Sequence, residues 1–109
     1  MTLYKSGDIV LLEFPYTKPS DSKKRPALII LDTGDEDIIA ARITTQIFNI
    51  HYDVLIRDWQ NTNLLSPSVI RCHKIATLEK SLILRKLGTL SEQDFVNFKN
   101  TFNENIRVN

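Results

Sequence analysis

Cysteine and histidine are scarce in this chain of 109 residues, which holds one cysteine, Cys72, and two histidines, His51 and His73. A single cysteine excludes an internal disulfide, and these three residues lack the spacing of zinc ligands. The composition fits a reducing cytosol. We therefore expect a cytoplasmic protein without a zinc site, and no sequence motif indicates another cofactor.

Long apolar runs are also missing. No stretch approaches the length of a membrane-spanning helix, and residues 1–8 contain no apolar core of a signal peptide, so none is expected. Hydrophobic residues make up 42% of the chain and charged residues 25%, which is ordinary for a soluble globular protein. The length suits one small domain over residues 1–109 with a modest core.

The chain has little excess charge, with a formal net charge of +1. No global basic field indicates a nucleic-acid partner, so any such site must be a local patch. A glycine-rich phosphate loop, a nuclease-type metal cluster and a Ser-His-Asp order are all absent. We interpret Asp35, Glu36 and Asp37 as turn residues and not as metal ligands.

The chain does contain short apolar segments separated by turn residues, which is typical of β-strands. The predicted strands are residues 9–14, 27–31, 37–44, 51–57 and 68–75. Residues 77–80 are predicted as a turn, and residues 81–87 fit either a strand or a short helix that ends at Gly88. Asp58 is expected to start a helical turn.

A C-terminal amphipathic helix is predicted after Ser91, which is a good N-cap. Phe95, Phe98 and Phe102 repeat at helical spacing and should lie on the core. Five or six strands followed by this helix predict a mainly β (α+β), barrel-like domain.

The strand at residues 68–75 carries the most reactive side chains. Because side chains alternate along a strand, Arg71 and His73 share one face about 7 Å apart, and Cys72 faces away as a buried apolar group. A permanent positive charge beside a group that titrates near neutrality can bind a phosphate and move a proton. The alternative, simpler for this strand taken alone, is that both residues lie on a solvated face.

Two further polar segments adjoin predicted strands. The first is a loop at residues 16–24 that concentrates positive charge before a strand, and its alternative is a solvated basic loop. The second, at a strand exit, offers hydroxyls and an amide to a phosphate, and its alternative is the ordinary β-propensity of threonine. Their candidate residues are Lys18, Lys23, Lys24 and Arg25 in the first, and Thr44, Thr45 and Gln46 in the second.

The order of five segments resembles the PemK/MazF family of toxin–antitoxin endoribonucleases over nearly the whole chain. These segments are Gly7–Leu11 (GDIVL), Lys24–Ile30 (KRPALII), Ile43–Gln46 (ITTQ), Ser68–Ile75 (SVIRCHKI) and Leu87–Ser91 (LGTLS). The resemblance implies an SH3-like β-barrel, usually a homodimer, that cleaves single-stranded RNA, especially mRNA, sequence-selectively and without a metal. It also implies a cognate antitoxin with an acidic disordered tail, through which alone DNA is contacted.

By position, the resemblance implies catalytic roles for Arg25, Thr44 and Arg71. The residues expected to hold the RNA are Lys18, Lys23, Lys24, Thr45 and Gln46. The Arg71-Cys72-His73 segment is similar to the PemK/Kid branch, but His73 stands where that branch has an acidic residue. An arginine of the MazF branch is replaced by Ala76, and the early loop lacks the family histidine.

These departures lead us to interpret His73 as the group that transfers the proton. Its ordinary pKa of about 6.5 suits this task. The expected reaction is attack of the ribose 2′-OH on the adjacent phosphate, giving a 2′,3′-cyclic phosphate and a 5′-OH end. One alternative is a catalytically weak or inactive barrel that binds RNA or a partner protein, and another is a purely structural dimerising domain.

Overall fold

The computed structural model describes residues 3–14, 23–47 and 50–106. Lys18 and most of the predicted loop at residues 16–24 lie outside these ranges. The described residues form six strands and one helix: β1 Asp8–Phe14, β2 Lys23–Asp32, β3 Asp37–Thr44, β4 Asp53–Leu55, β5 Val69–Glu79, β6 Ile83–Thr89 and α1 Glu92–Asn105. Two 3₁₀ turns, Trp59–Thr62 and Lys80–Leu82, precede β5 and β6.

The strands form one antiparallel sheet in the order β4-β5-β3-β2-β1-β6. The predicted mainly β fold with a C-terminal helix is therefore confirmed. The hydrogen-bonded ladder leaves β4 and β6 as edges, so the sheet is not closed, although its arrangement is compatible with a barrel-like description. β5 lies beside β3, and this position brings distant parts of the chain together.

Several strand boundaries differ from the predicted ones. β5 continues to Glu79, so the predicted turn at residues 77–80 is wrong, and β4 is limited to three residues. Both differences follow from pairing, because β5 pairs with β3 along most of its length, whereas β4 pairs with β5 over residues 53–55 alone. Gly88 lies inside β6 and does not end it. A Cβ there would stand 2.9 Å from the Cα of Thr62, which explains a glycine within a strand.

The two faces of the sheet carry separate apolar clusters. Because side chains alternate, Ile9 of β1 belongs to one cluster and Val10 to the other, and both are fully buried. The first cluster lies under α1 and includes Ile43, Ile70 and Cys72. β1 is therefore apolar on both sides because both of its faces are covered.

Helix α1 follows its predicted pattern. The Ser91 hydroxyl accepts a hydrogen bond from the backbone N–H of Asp94 at 3.1 Å. Phe98 is buried in the first cluster, and the other two phenylalanines of the stripe are partly buried against it. The buried Asp94 carboxylate accepts from the backbone N–H groups of Arg57 at 3.1 Å and Asp58 at 2.9 Å. In the described ranges, no helix is long and apolar enough to cross a membrane.

Candidate functional site

Strand pairing places several charged residues on one face of the sheet. Arg42 of β3 lies opposite Arg71 of β5, and Arg71 lies opposite Asp53 of β4. Residues directly opposite in antiparallel strands share a face, as do residues two apart in one strand. Thr44 lies two positions after Arg42 in β3. In β2, Ala27 pairs with Arg42, and Arg25 lies two positions before Ala27. We call the set of Arg25, Arg42, Thr44, Asp53 and Arg71 the cationic face.

Two predicted segments converge on this face. An open cavity of about 500 Å³ lies where β2 begins and β3 ends. Its polar lining residues are Lys23, Lys24, Arg25, Thr44 and Thr45. Gln46 lies just beyond, and its backbone N–H donates to the Thr44 hydroxyl at 3.2 Å. Arg71 and His73 do not line this cavity.

A second cavity, of about 390 Å³, adjoins the first because Arg25 and Pro26 line both. Arg42 and Lys74 add two more positive charges to its lining. Its apolar lining includes Leu12, Ala27, Ala40, Ala76 and Leu78. Cations beside small apolar residues suit an anionic ligand that has a flat, less polar part.

β5 is irregular where its reactive residues lie. Neighbouring β3 residues pair with Arg71 and with Ile75, so residues 72–74 have no partner on β3. The backbone N–H of Cys72 donates instead to the carbonyl oxygen of Tyr52 at 2.8 Å. An interruption of this kind is a β-bulge, which bends a strand and changes the direction of its side chains. Here the His73 ring lies against Arg71.

Arg71 contacts both the carboxylate of Asp53 and the imidazole of His73. Its Nε lies 3.3 Å from Oδ1 of Asp53, and its Nη2 lies 3.3 Å from Nε2 of His73. The side chains of Arg71 and Asp53 are only 12% and 5% exposed. The ring of Tyr52 packs against His73, with 4.9 Å between the ring centroids.

The contact with Arg71 decides the tautomer of His73. A guanidinium has only donors, so Nε2 of His73 accepts, and the proton of the neutral ring lies on Nδ1. Among the described residues, Nδ1 of His73 and Oδ2 of Asp53 are buried without a hydrogen-bond partner. The site thus holds a donor and an acceptor that are not satisfied by the protein.

Burial and nearby charge set the protonation of this region. Burial, followed by the positive charges of Arg71 and Lys74, lowers the pKa of His73, while the Asp53 carboxylate acts in the opposite direction. The ring is therefore neutral at neutral pH. Burial and then Asp53 raise the pKa of Cys72 to about 11, so this thiol stays protonated. Within the part of the chain that the structure describes, no three His, Cys, Asp or Glu side chains are grouped to hold a metal ion.

Sequence reasoning missed Arg42, Tyr52 and Asp53. Arg42 carried a signal, because it precedes Thr44 by two positions in an alternating strand and so shares its face. Tyr52 and Asp53 carried none, since their contacts with β5 depend on pairing between segments that are far apart in the sequence.

A small antiparallel β-sheet with a cationic face at its strand ends defines a protein suited to binding a polyanion. The sequence agrees with a particular family of this kind. Over residues 5–106 it matches the family described as "PemK-like, MazF-like toxin of type II toxin-antitoxin system". The chain belongs to this toxin family, and the predicted resemblance is confirmed.

Solved structures show the same fold. The Mycobacterium tuberculosis toxin MazF-mt6 is 21% identical with a TM-score of 0.73, covering 89% of this chain and 93% of its own. A MazE–MazF structure from Deinococcus radiodurans is 14% identical with a TM-score of 0.77, covering 95% and 96%. A mycobacterial endoribonuclease in complex with its cognate antitoxin is 17% identical with a TM-score of 0.75, covering 94% and 93%. No curated protein sequence matches this chain.

Proposed function

We propose that this chain, as one PemK/MazF-like domain over residues 1–109, cleaves single-stranded RNA sequence-selectively without a metal or other cofactor. The observation that carries the proposal is the cationic face, where three arginines on adjacent strands share a surface with one carboxylate. Directly opposed like charges such as Arg42 and Arg71 are destabilising, and the single carboxylate of Asp53 balances only one of the three arginines. A phosphodiester would supply further negative charge.

The scissile phosphate is proposed to bind between Arg25 and Arg71. Guanidinium groups pair with two phosphate oxygens at once and can stabilise the charge that develops during transfer. The Thr44 hydroxyl donates a further hydrogen bond and positions the phosphate. The residues proposed to hold the rest of the strand are Lys18, Lys23, Lys24, Thr45 and Gln46, four of which surround or adjoin the first cavity.

His73 is proposed to transfer the proton. In the free protein its Nε2 faces Arg71, so it is not available to a substrate hydroxyl. Phosphate oxygens compete for the same guanidinium, because charge-assisted hydrogen bonds are stronger than a bond to a neutral imidazole. RNA binding thereby releases Nε2 to accept the proton of the 2′-OH. The 2′-oxygen then bonds to phosphorus as the bond from phosphorus to the 5′-oxygen breaks, and the leaving 5′-oxygen takes a proton from water. The products are a 2′,3′-cyclic phosphate and a 5′-OH end.

The partners follow from the same proposal. Family membership supports a cognate antitoxin, and relatives have been solved as a MazE–MazF complex and with a cognate antitoxin. An acidic disordered tail of the antitoxin would compete with RNA for the cationic face. We further propose a homodimer that acts on mRNA in the cytoplasm and contacts DNA only through the antitoxin complex.

The test is incubation of the purified protein with a long single-stranded RNA in EDTA, followed by mapping of fragment ends. Discrete cuts with 5′-OH ends are expected, and an all-DNA strand of the same sequence should remain intact because it lacks the 2′-OH nucleophile. RNA that stays intact, or cuts that require a divalent metal, would contradict the proposal.

One observation favours a second candidate, a barrel that binds RNA without cutting it. The contact of His73 Nε2 with Arg71 occupies the atom that a general base needs. If phosphate does not displace this contact, the protein binds RNA and leaves it whole. The same incubation separates the two candidates when a binding assay is run beside it.

A further inference from the structure

Asp53 has no role in the reaction proposed above, although it contacts Arg71, one of the catalytic candidates. It lies on the short edge strand β4, opposite Arg71. Its side chain is 5% exposed, and its Oδ1 lies 3.3 Å from Nε of Arg71. Burial of an ion pair costs desolvation energy that the attraction between the charges often does not repay, so stability alone does not explain why Asp53 lies against Arg71.

We propose that Asp53 is a positioning residue, which anchors Arg71 by Nε while the Nη2 end of the guanidinium exchanges His73 for an RNA phosphate. This inference depends on the proposed function and deepens it. The geometry assigns Nε and Nη2 of one side chain to different partners. A pivot at Nε allows the outer end to turn without loss of the ion pair.

The anchor also explains why the site tolerates its positive charge. Arg71 faces Arg42 across the β3–β5 pairing and lies beside Lys74, and the carboxylate of Asp53 is the negative charge on its other side. Without the Asp53 carboxylate, the neighbouring positive charges would repel the Arg71 guanidinium toward solvent. Fixed orientation matters because misplacing a catalytic group by about 1 Å can cost about 100-fold in rate.

Tyr52 restrains His73, the second partner of Arg71. Its ring packs against His73, and its carbonyl oxygen accepts from the N–H of Cys72. The segment that starts β4 therefore fixes both the guanidinium and the imidazole. The charged groups around His73 are then Arg71 and Lys74 on its own strand and Asp53 on the neighbouring one.

The test is a double-mutant cycle on a short single-stranded RNA, measured as the single-turnover cleavage rate in EDTA. Asp53→Asn removes the charge at nearly constant volume and should lower the rate about 10- to 100-fold. In an Arg71→Ala background, at a pH above the His73 midpoint, the same change should alter the rate less than about 3-fold, because the proposed positioning by Asp53 requires Arg71. An equal loss in both backgrounds would overturn the inference.

A matched control is Asp32→Asn. Asp32 is also a nearly buried carboxylate in an ion pair, with Lys80 Nζ at 2.8 Å, but it lies at the far end of β2. Asp32→Asn should lower the stability of the protein and leave the cleavage rate of the folded protein unchanged. The rate–pH profile is a further readout: Asp53→Asn should move the midpoint set by His73 to lower pH, since a neighbouring negative charge is removed.

Asp53→Glu carries the same cycle if Asp53→Asn does not fold, because it keeps the charge and moves the oxygens by one methylene. If wild type binds RNA without cutting it, the proposed chemistry fails and the cycle is measured as affinity. Asp53→Asn must then weaken binding with Arg71 present and not with Arg71→Ala. Equal effects, or no RNA binding by wild type, would overturn the inference.

Discussion

The state of His73 depends on its neighbours more than on its own chemistry. Partial burial and two positive charges keep the ring neutral, and Arg71 selects the tautomer with the proton on Nδ1. A neutral imidazole is ready to accept a proton once Nε2 is released.

Replacing His73 by alanine should lower the cleavage rate by on the order of 100-fold or more if it transfers the proton. The chain offers a matched control in His51, its other histidine, which is exposed in the turn before β4. Single-turnover rates on one RNA measure both variants. A folded His73→Ala protein that cuts at the full rate would remove His73 from the mechanism.

The pH dependence of kcat/KM should report the lowered pKa of His73. If the neutral ring is the base, the rate rises with pH through this pKa and is level above it, so the midpoint should lie below the ordinary value of about 6.5. Lys74→Ala removes a positive charge, makes protonation easier and should move the midpoint to higher pH. A shift in the other direction would show that another group sets the profile.

At the scale of elements, the interruption of β5 and the start of α1 hold the site in place. The interruption at residues 72–74 turns His73 toward Arg71 and lets the backbone pair with Tyr52. The first turn of α1 fixes the chain after β4, because the Asp94 carboxylate accepts two backbone N–H groups there. Both features stabilise β4, the strand that carries Asp53.

Asp94→Ala should lower the free energy of unfolding by about 1–3 kcal/mol, since backbone donors lose their acceptor. The measurement is the midpoint of urea unfolding, with an unchanged slope as the sign of an intact two-state transition. Asp58→Ala is the control, because in the described part of the chain its carboxylate accepts a hydrogen bond from the exposed Asn61 side chain and not from a backbone N–H group. This change should cost less than about 0.5 kcal/mol. Equal midpoints for Asp94→Ala and wild type would contradict this role.

At the scale of the molecule, the strand order concentrates charge that the composition conceals. The net charge is only +1, but β2, β3 and β5 are neighbours and each contributes an arginine to the cationic face. A localised patch of this kind binds a polyanion with a strong dependence on salt. The acidic antitoxin tail proposed above would compete with RNA for this surface.

RNA affinity should fall as salt rises, and Arg42→Ala should make the slope of log affinity against log salt less steep by about 0.7, the contribution of one single-strand phosphate contact. Arg85→Ala is the matched control. Arg85 is exposed on the edge strand β6 and pairs with Leu11, which faces away from the cationic face. Equal slopes for the two variants would contradict a localised binding face.

The sequence by itself determined the fold class, the family, the helix cap and the aromatic stripe of α1. These features depend on local chemistry: alternation, turn residues, a capping hydroxyl at Ser91 and phenylalanines at helical spacing. The same is true of Cys72, because alternation alone placed it opposite Arg71 and toward the core. Five family segments in order identified the candidate residues Arg25, Thr44 and Arg71.

The tertiary structure decided how those residues meet. The convergence of the β2 entrance with the β3 exit follows from antiparallel pairing, and the contact between Asp53 and Arg71 follows from the position of β4 beside β5. The interruption of β5, which turns His73 toward Arg71, arises from a register shift against β3. Register and strand order are long-range properties, set by the packing of both apolar clusters, so local sequence signals do not contain them.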